Sequence, residues 1–263
     1  VLFAFNLCSF FQKRTLFNTV LLLFTFLILA TYAVFATGRT YFFMILTIYF
    51  GISFFYNPRF SVWRTTLALL GFLLMFMIFG VLYGKGGHTE DSLSENVKAA
   101  SENVGIYTVT ALNALDIELG NHSAGTSTGD NTLRFFYKAG MQLKIIPQRK
   151  ISELIQEFVF VPYPTNVYTV YSPYIRDFGK LYAWLMLALF GALHTWLFRK
   201  ARAEKSVRNI LYYTYLLFPL MLSFFGDQYM TLFSFWLQMI FFTEFLLVIN
   251  QITRLLYARY RYS

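Results

Sequence analysis

The chain has 263 residues, of which 57% are hydrophobic, 21% are aromatic and only 13% are charged. Soluble domains carry roughly 25% charged residues, so this composition argues against a water-soluble globule, and the abundance of apolar side chains argues against a disordered chain. The formal net charge is +9, and a single cysteine, Cys8, excludes an intramolecular disulfide. The apolar residues are gathered in long runs, which predicts a membrane protein.

The apolar runs predict a series of membrane-spanning helices. The first run precedes Lys13 and Arg14, the reverse of a signal peptide, and we interpret it as the end of a membrane helix whose beginning is missing. A helix needs about 20 apolar residues to cross about 30 Å of hydrocarbon. Six segments fit: Leu16–Thr37, Tyr41–Tyr56, Thr65–Gly84, Leu181–Phe198, Ile210–Phe225 and Met230–Ile252.

The basic residues predict which connections are cytoplasmic. Lys and Arg are concentrated in short segments at 13–14, 59–64, 199–208 and 254–261, and short loops rich in these residues stay in the cytoplasm. Most of the positive charge is therefore a topology signal, and we expect no nucleic-acid partner. The predicted fold is all-α: a polytopic transmembrane helix bundle with one large, mainly helical extracytoplasmic loop. Residues 1–84 and 180–263 would form the membrane parts, and residues 85–179 the loop.

The long outer loop carries helical patterns. Its first part repeats apolar residues at three- and four-residue steps, the mark of an amphipathic helix. These residues are Leu93, Val97, Ala100, Val104, Tyr107, Ala111 and Leu115. Residues 120–130 are small and polar and predict a turn or a flexible tip. Further short amphipathic stretches follow at Asn131–Leu143 and Ile151–Phe160.

The end of the loop, residues 161–179, is rich in proline and tyrosine, which argues against a regular helix and predicts a rigid, irregular surface loop joined to the fourth span. Tyrosines suit either sugar binding or anchoring at a membrane interface. Arg176 offers a planar set of donors for phosphate oxygens, and Asp177 could accept a proton from an attacking hydroxyl. The pair is equally consistent with a structural ion pair or a helix cap.

A motif in this region resembles a known family. Residues 164–169, Pro-Thr-Asn-Val-Tyr-Thr, are followed by Tyr171, Tyr174 and the Asp-Phe-Gly of 177–179, which lead into a membrane span. This pattern, with Leu-Ser-Phe-Phe-Gly-Asp at 222–227, resembles the C-terminal portion of the oligosaccharide repeat-unit polymerases, the O-antigen polymerase family. The chain departs from the family where a glycine often follows the Asp-Phe-Gly, since Lys180 and Leu181 stand there.

The resemblance implies a membrane glycosyltransferase that polymerises undecaprenyl-diphosphate-linked oligosaccharides into surface polysaccharide. It would act at the periplasmic face of the bacterial inner membrane, with the lipid bilayer and a chain-length regulator as further partners. The predicted catalytic residues are Arg176 for the diphosphate and Asp177 for the acceptor proton or for orienting a neighbour. The predicted substrate-binding residues are Thr165, Asn166, Tyr168, Thr169, Tyr171, Tyr174, Arg134, Lys138 and Arg149.

No metal site and no cofactor is predicted, because the three histidines are far apart in sequence and a phosphate-binding glycine loop is missing. Three alternatives to the polymerase remain open at this point. An O-antigen ligase would use the same donor with a different acceptor. A polysaccharide flippase or transporter would need a charged route through the spans. A non-catalytic scaffold would use the long loop as a partner surface.

Overall fold

The computed structural model describes residues 1–35, 39–57, 63, 66, 70, 109–120, 129–152, 158–161 and 164–261. These residues are mostly helical. The helices are α1 (Leu2–Gln12), α2 (Leu16–Phe35), α3 (Arg39–Tyr56), α4 (residues 109–120), α5 (Arg134–Gln142), α6 (Tyr171–Glu204), α7 (Val207–Met221) and α8 (Phe233–Arg261). Two short strands, β1 (Val159–Phe160) and β2 (Pro164–Thr165), pair antiparallel.

Three helices are long and apolar enough to cross a membrane: Leu16–Phe35, Tyr171–Glu204 and Phe233–Leu256. The shortest of them has 20 residues, which corresponds to about 30 Å at 1.5 Å per residue. They coincide with three of the predicted spans, at 16–37, 181–198 and 230–252. The chain is therefore a membrane protein, as its composition predicts.

The other predicted spans differ from this pattern. The segment Thr40–Tyr56 is a shorter apolar helix, close to the predicted Tyr41–Tyr56. The predicted span Ile210–Phe225 differs in its bounds, because α7 begins at Val207 and ends at Met221, where a turn follows. Such a helix covers only about 22 Å. The predicted span Thr65–Gly84 lies almost entirely outside the described residues.

The described residues divide into two compact units, and the first comprises residues 1–60, 193–218 and 234–263. Within it, α1 and α3 meet where the rings of Phe11 and Tyr56 stack with centroids 5.8 Å apart. Helices α3 and α7 approach closely at Gly51, where a Cβ atom would lie 2.7 Å from Cγ2 of the fully buried Thr214. Small residues of this kind let helix backbones approach each other in membrane proteins.

The second unit comprises residues 61–192 and 219–233. Its aromatic core includes Phe190 and Tyr229, whose rings stack with centroids 4.2 Å apart. The ring of Tyr174 meets Phe190 edge-on at 5.9 Å, and Tyr174 is fully buried. This core fixes the first part of α6 against the turn that precedes α8.

The region before the fourth span corrects one prediction from the sequence. Residues 171–178 form a helix and not an irregular loop. Pro173 is tolerated because it lies in the first turn, where its missing N–H has no helical partner to lose. The chain then breaks at Gly179, whose φ of 80° and ψ of 176° are non-helical, a conformation that glycine adopts at little cost. The short helix 171–178 and the membrane helix that follows are thus separate pieces of α6.

Other loop predictions are confirmed in part. Residues 109–120 form α4, in which Ala111 is buried and Leu115 half-buried but Val109 and Leu112 are exposed. The pattern from Leu93 to Tyr107 and most of the 120–130 tip lie outside the described residues. Helix α5 lies within the predicted stretch Asn131–Leu143. The prediction for Ile151–Phe160 is wrong at its end, where Val159 and Phe160 form β1 and pair with β2.

Candidate functional site

The centre of the candidate site is an ion pair between Arg176 and Glu118 in the second unit. Arg176 donates to Glu118 from Nε and, at 3.1 Å, from Nη2, while Ser172 donates its hydroxyl to Oε2 of Glu118 at 2.7 Å. Ser172 and Arg176 lie four residues apart and therefore share one face of the short helix 171–178. Glu118 is only 3% exposed, and its carboxylate accepts hydrogen bonds from Ser172 and Arg176 inside the protein.

The side chain of Arg176 keeps some access to solvent. Its guanidinium lies over the ring of Tyr168, 5.0 Å from the centroid, in a cation–π arrangement. The side chain of Arg176 is 24% exposed, against 2% for that of Glu118. A planar cation that is fixed by two neighbouring side chains and is partly exposed is suited to bind an anion such as phosphate.

Asp177 has a different set of partners from its neighbour Arg176. It accepts hydrogen bonds from the backbone N–H and Nδ2 of Asn131, the latter at 2.7 Å, and from the backbone N–H and hydroxyl of Thr132, both at 2.7 Å. Asp177 is 3% exposed. Its carboxylate thus fixes the chain just before α5, and this arrangement favours a positioning role over the predicted proton acceptor.

The turn between α7 and α8 supports the site from another direction. The N–H of Val170 donates to the carbonyl oxygen of Ser223 at 2.8 Å. A Cβ on Gly226 would lie 3.2 Å from the carbonyl oxygen of Tyr168, so glycine permits this close approach. The Tyr174 hydroxyl donates to Oδ1 of Asp227 at 2.9 Å. The segment that carries Tyr168 is therefore held by backbone as well as side-chain contacts.

Asp227 also organises the start of α8. Its carboxylate accepts the backbone N–H groups of Tyr229, Met230 and Thr231, which fixes this turn in the manner of an N-terminal cap. Burial raises the pKa of the Asp227 carboxyl, while the hydrogen bonds from the Tyr174 hydroxyl and these N–H groups act to lower it. Because α8 starts only at Phe233, the predicted span starting at Met230 begins three residues too early.

The predicted sugar-binding residues of 165–174 are largely internal. Thr165 and Thr169 are buried, and their hydroxyls accept backbone N–H groups two residues further on, at 3.1 and 3.4 Å. Tyr174 is buried against Asp227, which assigns it to holding the loop. Asn166 and Tyr171 are half-buried and keep some exposed surface, Tyr171 with its ring against Trp184. The structure therefore brings these residues together, mostly as structural parts of the segment.

The cations of the α5 region form a separate group. Arg134 donates to the carbonyl oxygen of Ser152, and Lys138 is exposed. Arg149 pairs with Asp130 and lies over the Tyr137 ring, 4.2 Å from its centroid. The group is linked to the Arg176 site through the bonds from Asp177 to the residues before α5. In the described part of the chain, no three His, Cys, Asp or Glu side chains cluster as metal ligands would.

Three residues of the site, Glu118, Asn131 and Thr132, are not among those predicted from the sequence. One of them carried a signal: Glu118 follows Ala111 and Ala114 at helical spacing on the buried face of α4, and an acidic residue on an apolar face requires a buried partner. Asn131 and Thr132 carried no comparable signal.

Comparisons with known proteins give a partial match. A protein named putative O-antigen polymerase, from Escherichia coli (strain K12), is 35% identical to this chain over 97 residues. The match covers 35% of this chain and 24% of that protein, so the chain matches about a quarter of the relative's length. No family model matches the chain, and no solved structure is significantly similar to it. The chain is thus a membrane protein that is similar over part of its length to a putative O-antigen polymerase.

Proposed function

We propose that this chain is part of a bacterial membrane glycosyltransferase that elongates surface polysaccharide from undecaprenyl-diphosphate-linked repeat units. The observation that carries the proposal is Arg176, whose guanidinium is fixed by Glu118 and Tyr168 and whose side chain is partly exposed. It lies three residues before Gly179, where the apolar part of α6 begins. The partial similarity to a putative O-antigen polymerase supports the same role.

The position of Arg176 fits a donor that is anchored in lipid. The diphosphate of such a donor lies at the level of the headgroups, because its polyprenyl chain stays in the hydrocarbon. A cation at the start of a membrane helix lies at the same level. We assign this site to the periplasmic face, in keeping with the basic residues at the other end of α6, Arg199 and Lys200.

The reaction is a displacement at the anomeric carbon of the donor sugar. The acceptor hydroxyl forms the new glycosidic bond and its proton passes to solvent, while the bond to the diphosphate breaks and the diphosphate leaves with added negative charge. Arg176 would stabilise that charge in the transition state. Glu118 would act as a positioning residue that keeps the guanidinium directed at the diphosphate, and Asp177 would hold the neighbouring segment in place.

The test is complementation of cells that lack the native gene, with surface polysaccharide separated on a gel. We expect Arg176→Ala to abolish the long-chain ladder and to leave single repeat units on the core, and Arg176→Lys to restore it only in part, because lysine lacks the planar set of donors. Arg199→Ala, at an exposed position of the same helix, is the matched control and should leave the ladder intact. Immunoblotting of membranes checks that all variants are present at equal levels.

Other outcomes would point to other functions. Loss of all substituted core would indicate a ligase, and repeat units trapped on the cytoplasmic side would indicate a flippase. A normal ladder with Arg176→Ala at normal protein levels would contradict the proposal.

A further inference from the structure

The segment formed by α5 and the turn after it has a one-sided charge. Residues 131–152 contain five basic residues and no acidic one. The basic residues are Arg134, Lys138, Lys144, Arg149 and Lys150, all exposed except the half-buried Arg134. A segment of this composition attracts anionic surfaces.

The same segment exposes large apolar side chains. Phe136 is 47% exposed, Leu143 69% and Ile145 74%. Leu143 directly follows α5 and is seven residues from Phe136, which at helical spacing places the two on one side, whereas Arg134 and Lys138 share another. A short helix with one apolar and one basic face is typical of segments that lie in the membrane interface.

The apolar residues after α5 are presented on an ordered turn. Lys144 adopts a positive φ of 58°, and the N–H of Ile145 donates to the carbonyl oxygen of Gly140 at 2.8 Å. Ile146 packs on Gly140, where a Cβ would lie 3.1 Å from its Cδ1. These contacts end the helix in the manner of a C-terminal capping motif, so Leu143 and Ile145 are held in a defined position.

Two contacts place this segment at the ends of candidate membrane spans. The carboxylate of Asp177, two residues before the break at Gly179 in α6, binds the backbone just before α5. The rings of Phe135 and Phe136 lie 5.3 and 5.0 Å from the ring of Phe233, the first residue of the span Phe233–Leu256. A segment attached to the starts of two spans lies at the bilayer surface.

From this placement we propose that residues 134–150 are an interfacial anchor that binds anionic phospholipid headgroups. Leu143 and Ile145 enter the boundary between headgroups and acyl chains, and Lys138, Lys144 and Lys150 contact lipid phosphates. The three lysines are spaced along the chain, with Lys138 in α5, Lys144 in the turn and Lys150 after it, which suits several headgroups better than one diphosphate. This proposal is independent of glycosyl transfer.

The test uses the full chain with Cys8→Ser and Ile145→Cys, labelled with a nitroxide and reconstituted into vesicles. Vesicles of phosphatidylcholine alone are compared with mixtures of phosphatidylcholine and phosphatidylglycerol. We expect oxygen to reach the label and a water-soluble nickel chelate to be excluded, with stronger exclusion when phosphatidylglycerol is present. Changing Lys138, Lys144 and Lys150 together to Gln should abolish the effect of phosphatidylglycerol.

A matched control removes three cations elsewhere, through Lys200→Gln, Arg202→Gln and Lys205→Gln, and should keep the effect. If Ile145→Cys does not fold, a label at Leu143→Cys gives the same reading. Free access of the nickel chelate to the label in both kinds of vesicle would overturn the proposal. An equal loss of the phosphatidylglycerol effect in both triple variants would also overturn it. Exclusion of the nickel chelate by undecaprenyl diphosphate but not by phosphatidylglycerol would likewise overturn it and would identify a site for the carrier lipid.

Discussion

The role of Asp177 can be tested by removing one of its two oxygens. Its Oδ2 accepts the N–H and the hydroxyl of Thr132, and its Oδ1 accepts Nδ2 of Asn131, all at 2.7 Å. In Asp177→Asn an amide NH₂ group replaces one of the two oxygens, and this group cannot accept a hydrogen bond. If it replaces Oδ1, the bond from Nδ2 of Asn131 is lost. If it replaces Oδ2, the two bonds from Thr132 are lost.

The size of the effect follows from those contacts. Hydrogen bonds to charged groups contribute about 1.5–3 kcal/mol each, and Asn131 is half-buried, so water recovers part of the loss. We expect Asp177→Asn to lower the free energy of unfolding by about 2–4 kcal/mol. For a chain of this size that corresponds to a fall of roughly 5–15 °C in the midpoint of thermal unfolding.

The assay combines thermal unfolding in detergent with polymer formation in cells. If Asp177 is a positioning residue, Thr132→Val should lower both stability and polymer yield, although Thr132 is not among the residues assigned to substrate. The double variant Thr132→Val with Asp177→Asn should be less than additive, because both changes remove the same bonds. The reasoning is refuted if Asp177→Asn abolishes polymer at unchanged stability while Thr132→Val behaves as the wild type. Asp177 would then be the proton acceptor.

Two further predictions concern packing and a buried hydroxyl. Gly51→Ala should destabilise the protein by about 1–3 kcal/mol, because its Cβ would lie 2.7 Å from Thr214. In the control Gly191→Ala the new Cβ has, among the described residues, no atom beyond its own helix within 4 Å, so the midpoint of thermal unfolding should change little. Equal midpoints for the two variants would contradict this packing. Tyr174→Phe removes a donor to the charged form of Asp227, whose pKa is raised by burial. Without this donor the pKa of the folded-state Asp227 carboxyl rises further. The variant should therefore lose more unfolding free energy at pH 7, where the carboxylate is more fully charged, than at pH 4. A loss of the same size at both pH values would exclude the Asp227 carboxylate as the cause.

The sequence predicts the apolar helices and the outline of the site, but not how its charges pair. Arg176 and Asp177 are predicted as the catalytic residues from their chemistry and from the family resemblance. Adjacent residues on a helix point about 100° apart, and the structure gives them separate partners, Glu118 and the 131–132 backbone. Glu118 is 58 residues from Arg176, and Asn131 and Thr132 are 46 and 45 residues from Asp177; no local pattern specifies contacts over such separations.

The helix 171–178 shows a second limit of the sequence. Its proline and tyrosine content indicates irregular backbone, but Pro173 occupies the one turn of a helix that tolerates proline. The break at Gly179 could be predicted only as the end of a loop, since a glycine in sequence does not show whether its φ is positive. Three of the six predicted spans, in contrast, match helices long enough to cross a membrane, because the length of an apolar run specifies them directly.

The short helix 171–178 joins three parts of the chain that are remote in sequence. Ser172 and Arg176 bind Glu118, Asp177 binds the start of α5, and Tyr174 binds Asp227. The stretches between these attachment points can therefore change in length and composition without moving the guanidinium, since loop insertions cost little. Under the proposed function, relatives with this arrangement would accept new sugars through those stretches while keeping one way of holding the lipid-borne leaving group.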